Sequence, residues 1–441
     1  MQKSFYLETF GCQMNVVDSE RIVSLLGEIG YQRVAAADAA DLVLLNTCSV
    51  RDKAERKVYG HLGRFKPLKD VRPALIIGVG GCVAEQEGER MLEEVPYLDL
   101  VFGTHNVHRL PELVQQAEAG QRRQSVTGFL DRETRLNLFP QRSEQNGVTS
   151  FVTVMQGCDN FCSYCIVPHV RGREISRPSG ELIAEIEALV AQGVREVTLL
   201  GQNVNSYGRK EDGEISFAQL VRKVAAIEGL ARLRFTTSHP KDLSDDLIAC
   251  FGELENLCHH LHLPVQCGSN EVLRQMNRGY TREDYLAILA KLKQACPDIR
   301  LTTDIIVGFP GESEGDFQQT LDLVAEVGFA DAFTFLYSKR SGTAAAELED
   351  KVGARVKQQQ FERLLELQQA RSRKIWESDL GHTLPVLVEG ASRQGEGQLF
   401  GRTTWNRIVN FAGSPELVGQ TVPVKIIKVF RNSNLGELLP G

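Results

Sequence analysis

Ten cysteines stand in the 441 residues, at positions 12, 48, 82, 158, 162, 165, 250, 258, 267 and 296. Three fall in one nonapeptide, Gly157-Cys158-Asp159-Asn160-Phe161-Cys162-Ser163-Tyr164-Cys165. Three thiolates on one short loop can hold three irons of a 4Fe–4S cluster, and no fourth cysteine follows nearby for the last iron. An iron without a protein ligand is open to a small molecule. A structural zinc with His169 as fourth ligand is the competing reading, although zinc loops more often pair two Cys-x2-Cys units.

The second set is dispersed. Cys12, Cys48 and Cys82 are 36 and 34 residues apart, and each ends a run of β-forming residues: ETFGC, LLNTC and GVGGC. Parallel strands of one sheet bring their carboxyl ends to one edge, so these thiols converge if the runs are neighbours. Gly11, Gly80 and Gly81 would let the backbone turn closely round a bulky group. The alternative is that they are small buried residues. Cys250 and Cys296 continue the apolar faces of helices and read as core. Cys258 and Cys267 flank His259, His260 and His262, but 260–264 reads as a strand, whose neighbouring side chains point to opposite faces, against a zinc site.

These residues need elements to hold them. The first 115 or so residues alternate strand-like runs (5–10, 41–46, 74–79) with helical patterns, the signature of a doubly wound parallel sheet. Residues 117–147 are polar and Arg-rich with little periodicity and read as a linker. A second strand–helix series starts at Phe151, with strands expected at 151–156, 196–200, 233–237, 260–264, 300–307 and 332–337. Its first helix carries Ser179 as N-cap and Gly193 beyond its end. Six such repeats in this length fall short of the eight of a full barrel, which takes about 250 residues, and predict a partial, open one. One long helix is expected over 352–380. The last 60 residues cluster β-formers between glycine turns and predict a small OB-like β-barrel.

Composition bounds the class. With 42% hydrophobic and 24% charged residues the chain is globular. Its net charge of −7 does not announce a nucleic-acid partner. Local basic excesses do occur, over 121–142 and over 381–441, where Arg402, Arg407, Lys425, Lys428 and Arg431 lie. No apolar run approaches the roughly 20 residues of a membrane helix, and no signal peptide opens the chain, so an unexported, cytoplasmic protein is expected. Reduced cytosolic thiols favour metal ligands over disulfides.

The 158–165 triad, with an aromatic residue before its last cysteine, resembles the signature of the radical S-adenosylmethionine (SAM) enzymes. The resemblance extends over almost the whole chain. TFGCQMN, NTCSVRDKAERK, TTSHPKD, HLPVQCGSN and TDIIVGFPGE are similar to the MiaB-type tRNA methylthiotransferases. Cys267 departs from the serine expected there, and YSKRSGTAAA lacks expected prolines. The resemblance implies an N-terminal methylthiotransferase domain (1–117), a linker (118–146), a radical SAM domain (147–376) with a (β/α)6 partial barrel, and a small all-β TRAM domain (377–441). It implies two 4Fe–4S clusters, on Cys158, Cys162 and Cys165 and on Cys12, Cys48 and Cys82. SAM would serve as radical source and methyl donor, contacted by Tyr164, Gly201, Gln202, Asn203, Asp304 and Gly308. The implied reaction places a methylthio group on C2 of N6-isopentenyladenosine 37 of tRNA. Threonylcarbamoyladenosine in tRNA and ribosomal protein S12 are the alternative substrates. The five basic residues named above would grip the anticodon arm, with Trp405 either stacking on a base or filling the small barrel. A flavodoxin- or ferredoxin-type electron donor and a monomeric chain complete the expectation.

Overall fold

The structure is a computed structural model that describes residues 2–49, 52–139, 147–350, 352–393, 395 and 397–439. It separates into two compact units. The first holds the N-terminal sheet together with Gln156–Asp159 and Cys165–Ile175. The second holds the remaining described residues from 147 onward.

In the first unit, β1 (Lys3–Thr9), β2 (Tyr31–Arg33), β3 (Leu42–Thr47), β4 (Ile76–Gly81), β5 (Leu100–Phe102) and β6 (Gln124–Val126) form one sheet. The order is β2-β1-β3-β4-β5-β6 and every pair is parallel. Strands β3 and β4 are buried at every residue, which is why LVLLNT and IIGVGG read as unbroken runs rather than alternating ones. Helices α1 (Gln13–Glu28), α2 (Asp52–Val71), α3 (Cys82–Glu87), α4 (Glu89–Glu94) and α5 (Leu110–Glu118) follow the strands. Leu7, Leu26, Leu44 and Leu113 pack in one core, and Val43, Leu45, Leu62 and Val79 in the other, as a doubly wound sheet requires.

The expected linker is partly built into this unit. Gln124–Val126 is the sixth strand, and α6 (Arg132–Asn137) follows, capped by Asp131 on the Thr134 N–H. Three residues are too few to show a period. Residues 140–146 lie outside the described residues. The arginine excess here serves the backbone: Arg122 donates to the carbonyls of Pro73 and Ala74, Arg123 to those of Leu92 and Pro96, and buried Arg135 to that of Arg173.

The chain continues through β7 (Thr149–Thr153), the two-residue strands β8 (Met155–Gln156) and β9 (Ile175–Ser176), and α7 (Val167–Arg171). Next come α8 (Ser179–Ala191), β10 (Glu196–Leu200), α9 (Phe217–Ala225), β11 (Arg232–Phe235), α10 (Asp245–Glu253) and β12 (His260–His262). Helices α11 (Asn270–Gln275) and α12 (Arg282–Ala295), β13 (Arg300–Val307), α13 (Glu314–Val327), β14 (Asp331–Leu336) and α14 (Ala354–Glu377) complete the series. The second unit arranges six of its strands as two parallel sheets, β11-β10-β7 and β12-β13-β14, joined by a bridge between Leu233 and Leu257. That is the open, six-stranded partial barrel, with β7 and β14 left as edges. Ser179 does not cap α8. Pro178 takes the cap position and the Ser179 N–H goes to Glu214, whereas α9, α12 and α13 start with full capping boxes at Ser216, Thr281 and Ser313.

The same unit ends in a closed barrel of β15 (Thr383–Ala391), β16 (Gln398–Arg402), β17 (Ile408–Ala412), β18 (Thr421–Val429) and β19 (Ser433–Leu438). Val386, Val388, Leu399, Val409, Phe411 and Val424 fill it.

Candidate functional site: two cysteine triads

Cys12, Cys48 and Cys82 each stand just past a strand of the first unit, at the carboxyl ends of β1, β3 and β4, which are adjacent. From β1 the sheet grows one way to β2 and the other way to β3, so this is its topological switch point, where open α/β sheets bind ligands. Cys12 is the N-cap residue of α1, and Cys82 opens α3. The approach of β1 to β3 needs Gly11: it has φ +112°, and a Cβ there would lie 2.2 Å from Cys48 Cβ and 2.7 Å from its Sγ. Gly81, at φ +94°, likewise leaves no room for a Cβ, which would meet the Thr47 carbonyl oxygen at 2.4 Å.

Buried asparagines fix these turns. Asn15 Nδ2 donates to the Thr47 carbonyl at 2.7 Å, and Asn46 Nδ2 donates to the Asn15 carbonyl at 2.8 Å. The Cys12 thiol donates to Asn15 Oδ1 at 3.4 Å. Arg171 also reaches that oxygen, at 3.3 Å, while it pairs with Asp18 at 2.6 Å. Both members of the ion pair are buried, at 6% and 9% side-chain exposure. The hydrogen bond to Cys48 and the charge of Arg171 bring the Cys12 thiol down to about 6 against the effect of burial. Burial raises the Cys82 thiol, with Arg171 opposing it. Helix α7 delivers Arg171, and its Val170 packs with Ile166 on Cys82. A guanidinium beside the Cys12 and Cys82 thiols suits a group that requires them as thiolates.

The donor set tests what that group can be. Sulfurs on one zinc lie less than about 4.6 Å apart, twice the Zn–S bond. Among the described residues, the metal-ligating set drawn within 4.8 Å is His259, Cys296 and Asp298, not this triad. Three thiols gathered at one sheet edge with glycine cradles fit an iron–sulfur cluster with one open iron.

The 158–165 loop contributes residues to each unit. In the first, the Cys158 N–H donates to the Gly172 carbonyl at 3.2 Å, and Asp159 pairs with Arg173 at 2.6 Å. Gly157 has φ +80°, and a Cβ there would lie 2.1 Å from the Arg173 carbonyl oxygen. His169 is exposed on α7. In the second unit, Ser163 N–H donates to Met276 O at 3.0 Å, and its hydroxyl to Gln275 O at 2.8 Å. Cys162 faces two side chains that sequence reading missed. Arg278 Nη1 donates to its Sγ at 3.4 Å, and His239 Nε2 stands 3.9 Å away. His239 Nδ1 accepts the Lys241 N–H, which leaves the proton on Nε2, facing the sulfur. Burial and the Arg278 charge hold this ring neutral. Arg278 is buried and fixed by the Pro264 carbonyl at 2.7 Å. No spacing rule links residues 162, 239 and 278; only the basic type inside TTSHPKD and QMNRGY hints at them.

Apart from Asp304, the expected SAM contacts lie at or just beyond the carboxyl ends of barrel strands or on the loop. Gly201 directly follows β10, and a Cβ there would meet Met155 Cγ at 2.4 Å. Gln202 is half-buried beside it. Asn203 is buried, and its Nδ2 donates to Asp242 at 2.7 Å. Its Oδ1 is buried without a partner, as is Ser238 Oγ. Such orphaned polar atoms fit a polar cofactor that would satisfy them. Tyr164 packs on Ile306 and Phe309, with its hydroxyl 3.4 Å from Arg278. Gly308 follows β13 at φ +74°, its N–H bonded to Glu312. Asp304 sits two layers below it, 3.5 Å from His262.

The RNA expectation needs correction. Arg407 is only 4% exposed, gives its guanidinium to the Arg431 and Phe430 carbonyls and to Asn434, and stacks on Trp376. It is a structural residue with no group left for a phosphate. Arg402 is bound to Glu389 at 2.5 Å. Lys425, Lys428 and Arg431 are exposed. Phe430, 45% exposed beneath the Lys428 ammonium, was missed. Trp405 packs against the small barrel, donates to the Asp298 carbonyl and lies under Arg300. The four remaining cysteines are buried, as expected.

Comparison with known proteins agrees in three parts. Residues 4–103 match the Uncharacterized protein family UPF0004, 152–324 the Radical SAM superfamily and 377–439 the TRAM domain. The chain is 62% identical over 435 residues to a tRNA-2-methylthio-N(6)-dimethylallyladenosine synthase of Syntrophotalea carbinolica, covering 99% of each chain. A protein of the same name from Geobacter sulfurreducens is 59% identical over 99% of this chain and 98% of its own. The radical SAM methyltransferase TsrM of Kitasatospora setae superimposes with a TM-score of 0.57 at 15% identity, over 78% of this chain and 74% of its own. That likeness is one of fold.

Proposed function

The chain belongs to the family of the tRNA-2-methylthio-N(6)-dimethylallyladenosine synthases, and on that premise we propose how its own residues carry the family's reaction. It is a radical SAM enzyme that adds a methylthio group to C2 of N6-isopentenyladenosine at position 37 of tRNA. Its cofactors are SAM and two 4Fe–4S clusters. The observation that carries the reading is the pair of cysteine triads, one of them gathered at the switch point of a sheet whose glycines admit no side chain.

An adenine C2–H is not acidic, so no side chain here can remove it as a proton. Cys158, Cys162 and Cys165 would hold the cluster that supplies the electron for reductive cleavage of SAM, and Cys12, Cys48 and Cys82 would hold the cluster that supplies the sulfur. The protein positions and shields. Arg278 and His239 direct N–H groups at Cys162, stabilising its thiolate. Asn203 Oδ1 and Ser238 Oγ offer unfilled hydrogen bonds to the methionine end of SAM. Gly201 and Gln202 border that end, and Tyr164 and Gly308 border the adenine. Arg171 compensates the thiolates of the N-terminal triad.

Lys425, Lys428 and Arg431 supply phosphate contacts for the anticodon arm, with Phe430 among them as an aromatic surface. We take the chain to act as a monomer in the cytoplasm, where its tRNA is, with a flavodoxin- or ferredoxin-type protein as electron source. The deciding experiment incubates the cluster-loaded protein anaerobically with SAM, a reductant and tRNA carrying either N6-isopentenyladenosine or N6-threonylcarbamoyladenosine. Digested nucleosides are then weighed. A methylthio mass gain on the isopentenyl nucleoside alone is expected. A gain on the threonylcarbamoyl nucleoside alone, or on neither, overturns the substrate assignment.

A further inference from the structure

The interior of the partial barrel is not packed as a core. A complete (β/α)8 barrel fills its interior with layers of branched apolar side chains. Here the outward positions do the packing: Val197, Leu199, Leu233, Leu261, Ile305 and Val307 belong to the core under the helices. Side chains alternate along a strand, so the intervening residues face inward. They include Glu196, Thr198, Arg234, His262, Thr302 and Asp304.

The lower layer is closed by the C-terminal barrel. Arg234 pairs with Glu196 at 2.9 Å and donates to the carbonyls of Thr403 and Thr404 at 2.7 and 2.8 Å. Arg300 lies over the Trp405 ring at 4.0 Å. One layer higher the interior is open. Phe333 on β14 pairs in register with Asp304 on β13, which places it on the same inward face. It is nevertheless 52% exposed. Its ring stands 5.9 Å from that of His262, edge to face. His262 is held by Thr302 Oγ1 at 3.0 Å and by Asp304 Oδ1 at 3.5 Å. Strand β14 pairs with β13 alone, and the exposure of its Phe333 and Leu336 leaves this layer open to a bulky substrate.

An exposed phenylalanine beside an ordered His–Thr–Asp set, between a sealed floor and the cofactor end of the strands, contributes little to folding. It has the chemistry of a seat for a flat heteroaromatic ring. We propose that Phe333, His262 and Asp304 form the seat of the target purine: Phe333 stacks on the base face, and the Asp304 carboxylate, oriented by His262, accepts the base's N6–H. This deepens the function proposed above and rests on it. It also moves Asp304 from the SAM side to the substrate side.

The test uses the cluster-loaded full chain and an anticodon stem-loop RNA carrying N6-isopentenyladenosine. Phe333→Ala is expected to raise both the dissociation constant of this RNA and KM by about 5- to 150-fold, the range for loss of one base-stacking aromatic. The melting temperature should not change, because the ring is half-exposed. Phe333→Tyr should restore binding. Equal affinities for Phe333→Ala and the unsubstituted protein, or failure of Phe333→Tyr to restore binding while the melting temperature holds, overturns the proposal. The unsubstituted protein serves as the separate check on function: if it yields no methylthio product on this RNA, the substrate assignment falls, whereas the binding comparison still decides the seat.

Discussion

Arg171→Met puts the N-terminal site to its sharpest test. The guanidinium is 94% buried, pairs with Asp18 at 2.6 Å and touches Asn15, the residue that orders the turn at Cys12. Methionine keeps much of the length and apolar stem but leaves the Asp18 carboxylate buried and uncompensated. Breaking a buried pair from one side costs about 3–5 kcal/mol, because the remaining charge is desolvated without a partner. For a unit of about 150 residues, each kcal/mol lowers the melting temperature by roughly 2–4 °C, so a fall on the order of 6–20 °C is expected. Adding Asp18→Asn removes the stranded charge and should recover at least half of the loss. The assay is thermal unfolding of the full chain, unsubstituted, singly and doubly substituted, with iron content measured on each after reconstitution. A shift under about 3 °C for Arg171→Met, or a double variant no more stable than the single one, would refute the view that Arg171 is the buried counter-charge of Asp18 at this site.

Three further outcomes follow from the same geometry. Cys12→Ala should lose about half of the reconstituted iron, one cluster of two, together with the methylthiolated product, and full iron loading would remove Cys12 from the ligand set. Lys428→Ala should lower the salt-dependence slope of RNA binding by about 0.7–0.9, one phosphate contact, whereas Arg407→Ala should lower the melting temperature and leave that slope unchanged; the reverse pattern would contradict the placement of Arg407 under Trp376. Burial pushes the Glu312 carboxyl up to about 7 from its ordinary value of 4.5. A carboxyl raised in the folded state favours folding when protonated, so this contribution is present below about 4.5 and is lost as pH rises through about 7. Glu312→Gln should flatten that fall in stability between pH 4.5 and 7, and identical pH profiles would show that Glu312 is not buried in its acid form.

The candidate cysteines of the 158–165 loop and the domain order were legible in the chain because local rules govern them. Three cysteines within eight residues converge wherever the loop lies. Buried parallel strands appear as unbroken apolar runs, as in β3 and β4, and capping boxes mark α12 and α13. The three-residue edge strand β6 escaped notice because it is shorter than any detectable period. Ser179 misled because a hydroxyl at a helix start has the same sequence signature whether it caps or merely follows the cap.

What only the tertiary structure decided concerns pairs far apart in sequence. Arg171 and Asp18 are 153 residues apart, and Arg278 and Cys162 are 116 apart. Composition marks Arg171, Asp18 and Arg278 as ordinary surface-type residues. The same holds for Arg407, whose charge suggested RNA until its burial against Trp376 was seen, and for Phe333, which the sequence marks only as part of a strand and not as exposed inside the barrel. Sequence determines residue chemistry and local conformation, because those depend on neighbours along the chain. Which charges are desolvated together and which rings are left bare depends on how strands and helices pack in space, and no local pattern encodes that.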